Sequence, residues 1–150
     1  MDPKTAAAME LKIMKATMPH DIFYHSIEHI LSQIEMIPTQ TYPSGLCCQA
    51  ALCSCAVNWQ GFLRPCVTLE SPSINLLEYN FKDAWDILST KVQNLKLNDS
   101  CSTCPLRIIC PTCVGNCNVE TKNPEEISSY ICNYTNELYK QTLKHFNSHE

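Results

Sequence analysis

Residues 101–117 read CSTCPLRIICPTCVGNC, and this one stretch carries five of the chain's eleven cysteines. It holds two C-x-x-C turns, Cys101–Cys104 and Cys110–Cys113, and three residues separate Cys113 from Cys117. A C-x-x-C turn brings two thiolates toward one metal centre, and its repetition within a single loop offers four or five ligands. Thiolate spacing alone suits either zinc or an iron–sulfur cluster. Two features favour iron. Structural zinc modules pair one C-x-x-C with a second such pair or with histidine, and no histidine lies between Cys47 and Cys132. Leu106, Ile108, Ile109 and Val114 also interleave the thiols, an apolar surrounding of the kind that tunes a cluster's potential.

Outside this stretch lie Cys47, Cys48, Cys53, Cys55, Cys66 and Cys132. A single cysteine is commonly a small buried hydrophobe, but that does not account for eleven in 150 residues. Their odd number argues against a fully paired disulfide scaffold. The opening MDPKTAAAMELKIMKATMPHD lacks the basic start and apolar centre of a secretory signal. The expected setting is therefore a reducing cytoplasm, where cysteine clusters bind metal more often than they form disulfides. In that setting the N-x-S/T sites at Asn98 and Asn133 read as chance. A content of 45% hydrophobic and 17% charged residues suits a folded domain. The net charge of −4 gives no electrostatic reason to expect nucleic acid or an anionic membrane surface. No apolar run approaches the ~20 residues that span a bilayer.

The expected fold class is α+β: a small β-hairpin with flanking helices and metal-organised cysteine-rich loops. Ile22, Phe23, Ile27, Ile30, Leu31, Ile34 and Ile37 recur at helical spacing and predict one helix over 5–37, ended by Pro38. A turn-rich break, Thr39–Gly45, follows. On the helix, His25, Glu28 and His29 match H-x-x-E-H, yet no third ligand stands nearby, so boundary positions of an amphipathic helix are expected there. Ala56-Val57 and Phe62-Leu63-Arg64 flank Asn58–Gly61 and predict a hairpin, with Gly61 supplying a positive φ. Gly115, inside the cysteine loop, marks a close approach that leaves no room for a side chain. A helix is predicted over 81–96, burying Ala84, Trp85, Ile87, Leu88, Val92 and Leu95. A final helix is predicted from Pro124 to about Phe146, with Ile127, Tyr130, Ile131, Tyr134, Leu138 and Leu143 inward. Trp59 and Trp85 are expected to be packing residues. Arg64 is either a solvated strand position or a donor to cluster sulfur. His145 and His149 lie in a terminus expected to fray.

Taken together, these residues resemble the SPASM domain, the C-terminal auxiliary-cluster domain of radical SAM peptide- and protein-modifying enzymes. The family pattern is a Cys, a spacer, Gly-x4-Cys, a gap, Cys-x2-Cys-x5-Cys-x3-Cys, a second gap and a last Cys. Cys48, Gly61 and Cys66 match the opening, within CCQAALCSCAVNWQGFLRPC. Cys101, Cys104 and Cys110 match the central run, and Cys132 the final position. The resemblance covers about 46–146 and implies two 4Fe-4S clusters. One would be held by Cys48, Cys66, a cysteine closing the central run and either Cys53 or Cys55. The other would be held by Cys101, Cys104, Cys110 and Cys132. The sequence departs from the family at the closing position, which falls on Val114; Cys113 is favoured, with Cys117 the alternative. Val67 follows Cys66 where sulfatase-maturing members carry a basic carboxylate, so that activity is not carried over.

Radical SAM enzymes also carry a C-x3-C-x2-C motif on a partial barrel, which binds S-adenosylmethionine. No such triplet precedes Cys47, so the resemblance implies a C-terminal piece or a split gene product. Residues 1–45 would be the end of the barrel or a bridge to it, and 46–150 the cluster-binding domain. The barrel on another chain would be its partner, and a peptide or protein substrate would be reached through the complete enzyme. Alone, the chain would be non-catalytic, and its clusters would carry an electron or bind substrate at an open iron. The alternative is an all-cysteine zinc-binding module for protein interaction, which leaves the Cys48–Gly61–Cys66 spacing as coincidence. A thiol–disulfide protein using Cys101 and Cys104 is a third and weaker reading, because that chemistry expects one C-x-x-C at a helix start. Residues 101–117 are expected to fold only with metal bound. Limited proteolysis checks this: the metal-free loop should be cut faster than the loaded one, and equal rates would contradict it.

Overall fold

The computed structural model describes residues 1–36, 45–46 and 48–147. Ile37, Pro38, most of the Thr39–Gly45 break, Cys47 and His149 lie outside them. In chain order the elements are α1 (Pro3–Thr17), α2 (His20–Met36), β1 (Ala56–Val57), β2 (Phe62–Arg64), β3 (Ile74–Asn75), α3 (Phe81–Gln93) and α4 (Asp99–Ser102). A 3₁₀ turn (Pro105–Ile108), α5 (Val114–Thr121) and α6 (Ser129–Asn147) follow. The class is α+β, as expected. The elements form two compact units: α1, α2, the 3₁₀ turn and α6 in the first, and the three strands, α3, α4 and α5 in the second. The N-terminal helices thus share a unit with the C-terminal one.

In the first unit the single helix expected over 5–37 is two helices. Asp2 caps α1, its carboxylate accepting from the Thr5 backbone N–H at 3.0 Å, and Pro3 takes the first helical position, where no N–H is needed. Pro19 ends α1: the residue before a proline is pushed out of helical geometry, and Met18 is extended at φ −96°, ψ 145°. The α2 periodicity is otherwise as read, with Phe23, Ile27, Leu31 and Ile34 buried; Ile22 is the exception, at 49% exposure. Phe23, Ile27 and Leu31 pack with Met14, Tyr139, Leu143 and Phe146. Helix α6 opens later than Pro124, because Asn123 draws Glu125 and Glu126 into a turn. Ser128 is its cap, accepting from the Ile131 N–H at 3.2 Å. Ile131 is buried on α6, but Tyr130 is exposed, and Ile127 packs in the core of the second unit. Thr135 and Thr142 are buried instead, their hydroxyls donating to the Ile131 and Leu138 carbonyls at 2.9 and 2.8 Å.

In the second unit β1 and β2 form the expected hairpin, paired Ala56 to Arg64 and Val57 to Leu63. Gly61 has φ +82°, and the Asn58 side chain accepts from the Gln60 and Phe62 N–H groups. An unforeseen third strand, β3, adds antiparallel on β2, pairing Leu63 with Ile74. Asn80 caps α3 by accepting from the Asp83 N–H. Ala84, Leu88 and Val92 then bury one stripe of α3 with Leu63, Leu69 and Ile74. Trp85 is half-buried and stacks on Phe81, whereas Trp59 at the hairpin tip is 90% exposed and packs nothing, contrary to expectation. Leu88→Ala should cost about 3 kcal/mol in urea unfolding, as for other buried leucines. Trp59→Ala should change stability by less than about 0.5 kcal/mol.

Candidate metal centre

The expected open loop over 101–117 is largely helical, and each turn fixes a cysteine. Cys101 lies in α4, its N–H donating to the Asn98 carbonyl at 2.8 Å, and is buried in the core of the second unit. Cys104 precedes the 3₁₀ turn and accepts through its carbonyl from the Arg107 N–H at 3.0 Å. Arg107 is itself buried, and its Nη1 donates to the Cys110 carbonyl at 3.2 Å, which closes the loop between Cys104 and Cys110. Cys113 caps α5, its sulfur accepting from the Asn116 N–H at 3.4 Å. A helix N-terminus suits a sulfur that carries negative charge, as a metal-bound thiolate does.

Cys104, Cys110 and Cys132 belong to the first unit. Cys132 and Thr135 stand three residues apart on α6, hence on one face, and the Thr135 hydroxyl lies 3.3 Å from the Cys110 sulfur. Cys110 is thus held at the face of α6 that bears Cys132. Cys48, Cys53, Cys55, Cys66, Cys101, Cys113 and Cys117 belong to the second unit.

In the second unit Cys66 and Cys113 come together across Gly115. A Cβ built on Gly115 would lie 3.7 Å from each of their sulfurs and 2.8 Å from the Thr68 hydroxyl. Gly115 therefore lies so close to the Thr68 hydroxyl that no side chain fits there; the close approach is to a threonine, where the sequence led one to expect a cluster. Cys117 is placed otherwise: the residue is 2% exposed and packs in the apolar core, and its sulfur contacts the Thr112 hydroxyl at 3.3 Å. Cys48 and Cys53 are exposed, and Cys55 packs against the core. Among the described residues no three His, Cys, Asp or Glu side chains converge as a group able to hold a metal ion. The observed convergence is the pair Cys66 and Cys113.

Two further observations bear on whether this pair fits a cluster. Arg64, two residues before Cys66, has a buried Nε–H with no hydrogen-bond partner among the described residues. A buried donor left unmatched calls for an acceptor. The donor set is also soft thiolate, the chemistry of zinc and iron–sulfur centres. Of the apolar residues interleaving the thiols, Val114 is buried in the core of the second unit, but Ile108 is 41% exposed. Val67 is exposed, as are His25, Glu28 and His29 on α2. Among the described residues no helix is long and apolar enough to cross a membrane.

Sequence reasoning missed Thr68, Thr112 and Thr135, whose hydroxyls each lie within 3.3 Å of a cysteine sulfur. Only Thr68 stands close in sequence to its own partner; Thr112 and Thr135 reach sulfurs five and 25 residues away.

Gly115→Ala tests the cradle. Alanine adds up to about 1 kcal/mol of helix propensity, but overpacking against Thr68 costs about 1–3 kcal/mol. Thermal unfolding should show a net loss, and Thr68→Ala in the same chain should recover part of it, because the clashing hydroxyl is gone. Comparisons of the chain with protein-family models, curated proteins and solved structures return no match.

Proposed function

We propose that this chain binds two 4Fe-4S clusters as the auxiliary-cluster domain of a radical SAM peptide or protein maturase. The observation that carries this reading is that Cys66 and Cys113, far apart in sequence, both bring their sulfurs to Gly115, each 3.7 Å from where its Cβ would stand. In support, the cysteines proposed for one cluster, Cys48, Cys53, Cys66 and Cys113, all fall in the second unit. Three of those proposed for the other, Cys104, Cys110 and Cys132, fall in the first; Cys101 is the exception. Cys113 is preferred over Cys117 because its sulfur lies beside Gly115, as that of Cys66 does. Cys53, the more exposed residue, is taken as the fourth ligand, with Cys55 the alternative.

When bound, such clusters accept and release single electrons or bind a substrate at an open iron. The chain's own residues would supply the thiolates and an N–H donor to Cys113. S-adenosylmethionine chemistry would belong to the complete enzyme, through a radical SAM barrel on another chain, and a peptide or protein would be the substrate. In a reducing cytoplasm, the setting proposed for the chain, these thiols would stay available to metal rather than pair as disulfides.

Anaerobic reconstitution followed by metal and sulfide analysis tests the reading. About eight iron and eight sulfide per chain are expected from two all-cysteine cubanes, with Mössbauer spectra of that cluster type. Cys66→Ala and Cys113→Ala should each lower iron to about four, while Cys117→Ala should leave it unchanged. Zinc with negligible sulfide would refute the proposal and leave a zinc-binding structural module.

A further inference from the structure

Between α1 and α6, within the first unit, lies an open groove of about 1070 Å³. Lys4 and Lys12 line it from α1, and Lys140 and Lys144 from α6. Four of the chain's eleven Lys and Arg residues therefore face one groove, which holds only Glu137 of its fifteen acidic residues. On a chain of net charge −4 the balance of charge is reversed there. Lys4 is not explained by the stability of its own helix. It stands in the first turn of α1, where a positive charge opposes the helix dipole.

Glu137 shows what such a groove favours. Its carboxylate accepts from the Lys140 Nζ at 2.8 Å. That bond first, then the charges of Lys140, Lys4 and Lys144, hold it below the usual carboxylate range. Lys4 and Lys12 form no ion pair among the described residues, so cationic capacity is left over. Ala8, Met9 and Leu143 share the lining, and Met9 is 46% exposed. The lining has no arginine and no aromatic ring, hence neither a forked grip on phosphate nor a stacking face for bases. Carboxylates interspersed with apolar side chains fit both parts of it. Lys4 and Lys12 stand eight residues apart on α1, about 12 Å along the axis, a distance that a short helix spans.

We propose that the groove between α1 and α6 docks a short acidic amphipathic helix of a partner protein. Its carboxylates meet the four lysines, and its apolar side chains meet Ala8, Met9 and Leu143. Opposite charge steers and orients such a partner, while the apolar contact holds it. The proposal involves no metal and stands whether or not the second unit binds one.

The experiment follows the fluorescence anisotropy of a fluorescein-labelled peptide of about four helical turns, Glu on one face and Leu on the other, titrated with the full chain. The peptide should bind saturably, one per chain, and more weakly as salt is raised. Its counterpart with Gln in place of Glu should not bind. Lys4→Glu with Lys144→Glu should weaken binding at least about tenfold, and Met9→Ala about threefold. Lys91→Glu with Lys96→Glu, the same change of charge on the second unit, should leave it within about twofold. Absence of saturation, equal weakening by the two charge reversals, or indifference to Met9→Ala would overturn the proposal. So would a thymidine oligonucleotide or phosphatidylserine vesicles that bind more tightly than the peptide and are lost with the same variants. Circular dichroism checks the helix content of each variant. If Lys4→Glu with Lys144→Glu unfolds, Lys4→Gln with Lys12→Gln decides: weakened binding supports the proposal, and unchanged binding overturns it.

Discussion

The start of α5 has to lie against two other segments of the second unit at once, and the positions of its cysteines depend on that. The Val114 N–H donates to the Gly45 carbonyl at 2.9 Å, while the Gly45 N–H donates to the Leu95 carbonyl at 3.0 Å. A Cβ on Gly45 would stand 2.8 Å from both the Leu95 oxygen and a Val114 methyl carbon. One residue further on, Gly115 meets Thr68. Buried backbone groups must be paired, and here the pairing partners approach so closely that side chains are excluded. Cys113 immediately precedes this clamped pair and also caps the helix. Its sulfur has little freedom of its own, and Cys66 arrives beside it from the end of β2.

What could be read in the sequence follows from the range of the forces involved. The hairpin was legible because Asn58 and Gly61 dictate a local turn, and α3 because its apolar stripe repeats at helical spacing. The break at Pro19 and the cap at Ser128 were legible in principle: both are local signals, outweighed by a longer periodicity and by the Pro-Glu-Glu at 124–126. β3 has only two residues, and its strand character comes from pairing with Leu63 rather than from its own pattern. The exposure of Trp59 is likewise a tertiary outcome, because a tryptophan at a hairpin tip buries itself only if another segment comes to meet it.

The cysteines divide in the same way. The C-x-x-C turns announce soft-metal chemistry through spacing alone, yet spacing does not say which sulfurs face one another. Cys113 and Cys117 are both plausible from sequence; they differ because one sulfur ends a helix beside Gly115 and the other faces inward among Leu63, Leu88 and Val114. The threonine hydroxyls beside the sulfurs were overlooked because threonine has many uses. Only the fold shows that Thr68 and Thr112 point at thiols.

The first unit joins α1 and α2 to a helix that begins at Ser129, with the whole of the strand-bearing segment between them in the chain. On a ribosome adding roughly 5–20 residues per second, the two leading helices wait on the order of ten seconds for that partner. During this interval Phe23, Ile27 and Leu31 have no C-terminal helix to cover them, and a nascent chain in that condition is a natural client for a chaperone. A unit whose helices lie far apart in the chain is also slow to form, since a long loop must close before its contacts are made. Within this unit α1 and α2 are made before α6 and are secured only once it arrives.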